Sequence, residues 1–129
     1  MSFNEPIYEA IIYFETKEVD PEKGEISGPK SLWHERVKAN TLQDCLKRIA
    51  YLVNAKSYSD LYFDNSNNDK NSTKLWYSTL IDRYSSPASK RDIDLWQKGK
   101  LKLWKLNCNI LLTKVDDKEL VKFGLKKLK

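Results

Sequence analysis

The chain is poor in the residue types from which most chemical sites are built. Its 129 residues include one histidine, two cysteines and four glycines. A structural zinc site needs about four cysteine or histidine ligands, and a phosphate-cradling loop needs closely spaced glycines. The sequence therefore predicts neither kind of site, and we expect no metal, no cofactor and no enzymatic activity.

Long apolar segments are missing as well. No run approaches the ~18 apolar residues that a membrane-spanning helix needs, and the first ten residues lack the basic and apolar stretches of a secretory signal. Cys45 and Cys108 are far apart, and each lies among apolar neighbours. We therefore expect a cytoplasmic protein without membrane contact, in which both thiols are buried and free.

What the sequence does contain is apolar alternation at strand spacing, interrupted by segments at helical spacing. We predict strands over 7–19, 31–39, 60–63, 74–82 and 100–115, and helices over 41–54, from Lys90 to Gly99, and over 116–129. The order β-β-α-β-β-α-β-α predicts an α+β fold: one mainly antiparallel sheet with helices packed on one face. The length fits a single domain over 1–129, with a flexible Asn-rich loop at 64–73.

Some predictions are specific enough to be tested residue by residue. Thr41 and Ser89 are predicted N-caps, Ser89 with Asp92 as its capping-box partner, and Gly99 is a predicted helix stop. Leu101 and Leu103 occupy odd-numbered positions, whereas Leu106 and the alternating apolar residues after it occupy even-numbered ones. In one regular strand the two sets would point to opposite faces. Because a slip of one residue reverses every side chain, we predict a β-bulge near Trp104–Lys105.

The last segment is predicted to form one basic amphipathic helix that faces the domain or a partner through four apolar residues: Leu120, Val121, Leu125 and Leu128. Gly124 would lie in its middle, where glycine costs about 1 kcal/mol relative to alanine. We therefore expect this helix to be marginal unless it is docked.

Charge is distributed unevenly along the chain. Residues 1–64 contain 8 basic and 11 acidic residues, a balance of −3, whereas residues 65–129 contain 15 and 7, a balance of +8. Segment 89–105 combines this charge with tryptophan, and lysines can neutralise phosphates while an indole stacks on a base. The predicted nucleic-acid or partner-binding residues are Lys90, Arg91, Lys98, Lys100, Lys102, Trp104 and Lys105.

Two functions from different classes remain open. The first is a small non-enzymatic accessory protein that binds DNA or RNA with little sequence specificity, because lysine outnumbers arginine, the favoured base reader. The alternative is a protein-interaction module, an inhibitor or adaptor, whose basic half docks an acidic protein. Small size, Asn/Lys-rich usage and the absence of motifs are typical of accessory proteins from phages or mobile elements. The lysines could also form an ordinary solvated strand face with Trp104 in the core, and the sequence leaves the oligomeric state open.

Two features resemble parts of catalytic sites without completing one. His34 lies on a predicted strand and faces solvent, with no nucleophile or ordered acid beside it, so we interpret it as structural. Glu15 and Lys17 have the acid-x-lysine spacing used by metal-dependent nucleases. Those sites also need an upstream aspartate, and no residue is well placed to supply it.

Overall fold

The structure, a computed structural model, describes residues 7–25, 28–64 and 71–127. Its strands are β1 (Tyr8–Asp20), β2 (Gly24–Glu25), β3 (Ser31–Ala39), β4 (Tyr62–Asp64), β5 (Ser72–Ile81), β6 (Leu103–Thr113) and β7 (Lys126–Lys127). Its helices are α1 (Leu42–Leu52), α2 (Lys90–Gln97) and α3 (Asp117–Lys122), and a 3₁₀ turn spans Tyr58–Asp60. The predicted α+β class is confirmed.

All of these strands belong to one sheet, in the order β3-β1-β6-β5-β4-β7, with the short β2 beside the end of β1. Every pairing is antiparallel except that of β4 with β7. Strand β1 forms an antiparallel hairpin with β3 and pairs with β6 on its other side, so β1 lies inside the sheet. Strand β3 is therefore one edge of the sheet.

Helix α1 covers one side of the sheet, here called the core face. Its N-cap is Thr41, whose Oγ1 accepts the Asp44 N–H at 3.1 Å, as predicted. The apolar stripe of α1 is buried against alternate residues of β1, and Leu120 and Leu125, from α3 and just after it, belong to the same cluster. Both cysteines are buried in this cluster as free thiols, which confirms that prediction.

Helix α2 begins and ends as predicted but lies at one end of the sheet. Ser89 and Asp92 exchange side-chain-to-backbone hydrogen bonds of 3.1 Å in a complete capping box, and Gly99 ends the helix with a φ of +74°. The Trp96 indole N–H donates to the Val19 carbonyl at 2.9 Å. Val19 is opposite Leu103 in the sheet, and both are buried although their parity points them away from the core face.

The predicted bulge near Trp104–Lys105 is wrong. The register of β6 with both β1 and β5 continues without interruption past these residues. The change in apolar parity arises because Leu103 is buried on the opposite face, at the end of the sheet that α2 closes. The strand also begins later than predicted, so Lys100 and Lys102 lie in an exposed loop before it.

The predicted helix over 116–129 is wrong beyond Lys122. Gly124 has a φ of +86°, its N–H bonds to the Val121 carbonyl, and the Leu125 N–H bonds to the Leu120 carbonyl. This is the Schellman arrangement that ends helices at a glycine, and the chain then forms β7. Leu120 and Leu125 are buried as expected, whereas Val121 is exposed; Leu128 lies outside the described residues.

The predicted loop at 64–73 is shorter at both ends. Asp64 is the last residue of β4, and β5 begins at Ser72, so only the inner part of the segment separates two strands. Residues 65–70 of this predicted flexible loop lie outside the described residues. Thr73 belongs to the core and is 1% exposed.

Candidate nucleic-acid interface

The seven residues predicted to form a binding site are divided among three places. Lys90, Arg91 and Lys98 are exposed on and just after α2, and the Lys98 ammonium lies 3.1 Å from the Asp94 carboxylate. Lys105 points to the sheet face opposite the core, directly across from Lys17 of β1. The remaining three, Lys100, Lys102 and Trp104, are brought together around one concavity.

This concavity, here called the end cavity, has a volume of about 580 Å³ and lies between the loop after β5 and the loop before β6. Trp104 is half-buried and packs against the core. The residues that line the end cavity are Asp82, Arg83, Tyr84, Asp92, Lys100, Leu101, Lys102 and Trp104. The sequence analysis missed Arg83 and Tyr84, because they follow a different strand.

The two carboxylates of the end cavity are engaged with the backbone. Asp82 accepts the N–H groups of Tyr84 and Ser86 at 2.8 and 3.0 Å, and Asp92 accepts from the N-cap of α2. The Arg83 guanidinium lies 4.7 Å from the centre of the Tyr84 ring and donates to its hydroxyl. The cations Arg83, Lys100 and Lys102 therefore share the end cavity with two aromatic rings.

A second surface is the sheet face opposite the core, here called the open face. One set of side chains follows a single line across the sheet, because each residue is the register partner of the next. From β3 to β7 this cross-strand row consists of His34, Tyr13, Asn109, Trp76, Tyr62 and Lys126. Neighbouring strands are about 4.8 Å apart, so the row is about 24 Å long.

Side chains along the row contact one another. The ring centres of Tyr13 and His34 are 6.0 Å apart, those of Tyr62 and Trp76 are 5.7 Å apart, and the Lys126 ammonium lies 5.8 Å from the centre of the Tyr62 ring. Tyr13 is 47% exposed. The row therefore presents aromatic rings and polar groups to the same side of the sheet.

Basic residues flank the row on both sides. On one side, Arg36 and Lys74 lie in the adjacent set of register partners on the same face. On the other side, Lys17 and Lys105 are register partners in the second set from the row. Acidic residues on this face include Glu9 and Glu15, which form long ion pairs of 3.8 and 3.9 Å with Lys38 and Lys30; Asp64 also belongs to this face. Lysine and arginine outnumber the acids across the open face.

Sequence alternation could have assigned each member of the row to the open face. It correctly placed His34 on the solvent-facing side of its strand. It could not align the five pairings that bring the residues into one line, because register is a property of strand pairs. The row was therefore missed.

The residues that resembled catalytic elements do not assemble into a site. Glu15 and Lys17 share the open face, where Glu15 is paired with Lys30. Over the described part of the chain, no group of three or more His, Cys, Asp or Glu side chains could hold a metal ion. Burial raises the pKa of Cys45 to about 11 and that of Cys108 to about 12.

Comparison with known protein families, curated proteins and solved structures finds no match to this chain. None of the helices in the described ranges is long and apolar enough to cross a membrane. The function is therefore argued from the surfaces of this fold.

Proposed function

We propose that this protein binds single-stranded nucleic acid, DNA or RNA, on its open face and with little sequence preference. The observation that carries the proposal is the cross-strand row. It aligns the rings of Tyr13, Trp76 and Tyr62 across neighbouring strands of one sheet. Unpaired bases stack on such rings at about 1–3 kcal/mol per base, whichever base is present.

The flanking charges support the same ligand. Lys17 and Lys105 on one side of the row, and Arg36 and Lys74 on the other, are placed to neutralise phosphates of a strand that crosses the sheet. Length fits as well, since a row of about 24 Å suits a short binding site, on the order of four nucleotides. A duplex keeps its bases stacked internally, so it would use only the charges and bind more weakly.

The end cavity is a second region that an extended strand could contact. It combines Lys100, Lys102 and Trp104 of the predicted binding segment with Arg83 and Tyr84. It lies at the end of the sheet, and Trp104 points to the core face, so one base cannot contact the row and Trp104 together. The proposal therefore assigns base stacking to the row, and it gives the end cavity only phosphate contacts additional to those of the basic residues that flank the row.

The test is fluorescence anisotropy with labelled oligothymidine, oligoadenine, oligouridine and a DNA duplex, at low and near-physiological salt. Tyr13→Thr combined with Trp76→Thr removes two rings and keeps residues that favour strands. We expect single strands to bind wild type more tightly than duplex, and this variant to bind at least 10-fold more weakly. Tyr13→Phe combined with Trp76→Phe is the matched control and should bind like wild type.

A second variant, Lys100→Glu combined with Lys102→Glu, tests the end cavity. Both residues are exposed in a loop, so the fold should be retained. A loss of binding in this variant but not in the ring variant would place the site at the end cavity and overturn the assignment to the row. No binding of any oligonucleotide at low salt would overturn the proposed function.

The proposal also concerns the compartment in which the protein acts and a second kind of partner. Two free, buried thiols suit the reducing cytoplasm, where an accessory nucleic-acid-binding protein would act. The second candidate function is docking of an acidic protein, and a concavity between β3 and α1 with four basic lining residues favours it.

A further inference from the structure

The outer edge of β3 exposes backbone N–H and C=O groups that pair with no described strand. Among the described strands β3 pairs with β1 alone. Its residues from Ser31 to Arg36 are all exposed. A long exposed edge strand is a template for pairing with another chain, which is why proteins usually cover or shorten such edges.

One hydrogen bond shows which backbone groups point outward. The Arg48 guanidinium donates to the Lys38 carbonyl, so that carbonyl points away from β1. In an antiparallel ladder the residues of a strand present their N–H and C=O groups to alternate sides. His34 and Arg36 therefore direct their backbone groups to the outer edge, as Lys38 does.

Helix α1 lies beside this edge and forms the second wall of a groove. The groove has a volume of about 360 Å³ and is lined by Arg36, Val37, Lys38, Lys47, Arg48, Tyr51 and Leu52. Tyr51 is 82% exposed, and Trp33, 41% exposed, lines an adjoining depression that Tyr51 also borders. The groove thus joins an exposed strand edge to exposed aromatic rings.

The charge of the groove is of one sign. Four of its lining residues are basic, and none of the described lining residues is acidic. Lys38 has a partner in Glu9, but that pair is 3.8 Å apart and exposed, so it contributes little. An occupant of this groove is expected to be anionic.

We propose that an extended acidic peptide segment of a protein partner binds in this groove and adds to the sheet as a strand beside β3. A peptide backbone offers alternating donors and acceptors that match those of His34 and Arg36, whereas a phosphodiester offers acceptors only. The carboxylates of the peptide then meet Lys47 and Arg48. Main-chain pairing supplies affinity in this mode, and the side chains supply selectivity.

The test uses a fluorescein-labelled ten-residue peptide of alternating glutamate and valine. The same peptide with alternate backbone amides N-methylated keeps the charge and loses the donors for one strand edge. We expect the unmodified peptide to bind and the N-methylated peptide to bind at least 10-fold more weakly. Amide hydrogen exchange at His34 and Arg36 should slow when the unmodified peptide is bound.

Lys47→Glu combined with Tyr51→Ala removes groove contacts at exposed positions, and should weaken peptide binding at least 10-fold. Lys118→Glu, an exposed charge reversal on α3, is the control and should leave peptide binding unchanged. Equal binding of the N-methylated peptide, equal binding of a lysine–valine peptide, or no binding at 1 mM and low salt would each overturn the inference.

This inference deepens the second candidate function and does not rest on nucleic-acid binding at the open face, so the two can fail separately. The ring variant of the open face, Tyr13→Thr with Trp76→Thr, should keep peptide binding, and the groove variant should keep oligonucleotide binding. Complete displacement of the peptide by oligothymidine would mean that the groove binds polyanions in general and would overturn strand addition.

Discussion

Thr73 allows the contribution of one buried hydroxyl to stability to be measured. This hydroxyl bonds to backbone groups of Val115, just beyond the end of β6, where the ladder hydrogen bonds have stopped. Thr73 is the one buried polar or charged residue in the described part of the chain. Its Oγ1 accepts the Val115 N–H at 3.0 Å and donates to the Val115 carbonyl at 3.2 Å. Val115 itself lies just beyond β6 and is buried, so water cannot easily replace the hydroxyl.

Thr73→Val keeps the shape of the side chain and removes both hydrogen bonds. A buried polar group left without a partner costs about 1–3 kcal/mol, and two are created. After a gain of about 1 kcal/mol for the added apolar group, we expect the free energy of unfolding to fall by about 1–5 kcal/mol. Thr73→Ser keeps the hydroxyl and loses one methyl, so its expected cost is about 1 kcal/mol.

The assay is urea unfolding followed by tryptophan fluorescence, with equal m values required before the variants are compared. Thermal unfolding gives a second measure, at about 4 °C per kcal/mol for a chain of this length. The expected order of stability is wild type, then Thr73→Ser, then Thr73→Val, so the variant with the most apolar side chain is the least stable. If the valine variant is as stable as the serine variant, the two hydrogen bonds do not stabilise this end of the sheet.

Two further predictions concern single positions. Gly124→Ala should destabilise the protein by about 1–2 kcal/mol in urea unfolding, because φ is +86° and the new Cβ would lie 3.2 Å from the Ser59 Cβ. Gly99→Ala, also at positive φ but with open space, is the control and should cost about 1 kcal/mol; a stabilising Gly124→Ala would contradict the Schellman assignment. Cys45 and Cys108, with pKa values raised by burial to about 11 and about 12, should resist alkylation at pH 8 in the native protein and react when it is unfolded. Unfolding exposes both thiols to water, where they ionise with the ordinary thiol pKa of 9.0, while the folded thiols keep their protons. Stability should therefore fall as the pH rises above 9.0; fast native-state labelling, or stability that is flat there, would show that the thiols are accessible.

Features that depend on a few neighbouring residues were predictable from the sequence. The N-caps at Thr41 and Ser89 and the stop at Gly99 each depend on one turn of chain, and all three are found. The second glycine stop, at Gly124, has the same hydrogen-bond pattern as Gly99. It was interpreted as a helix interior because the apolar residues after it continue at helical spacing, although Leu125 is buried after the turn.

Features that depend on distant parts of the chain could not be predicted in this way. The parity change before Leu106 has two physical explanations, a bulge or a second apolar contact. The uninterrupted register of β6 and the position of Trp96 beside Val19 decide between them. Thr73 was assigned to a loop because its neighbours are polar. Its burial follows from its register with β6 and its hydrogen bonds to Val115.

The distribution of charge illustrates why a binding surface cannot be inferred from counts along a chain. The basic half was expected to carry the site, yet the fold sends Lys105 to the open face and Trp104 to the core face, since adjacent strand residues alternate. The acidic half supplies a concavity with four basic and no acidic residues among its described lining, because α1 and β3 bring Lys47 and Arg48 beside Arg36. Acids of that half lie elsewhere; Asp20, for example, has its pKa lowered by backbone hydrogen bonds in the turn after β1. Surface charge is therefore set by which strand and helix faces meet, and the row and the groove are the surfaces on which binding should be sought first.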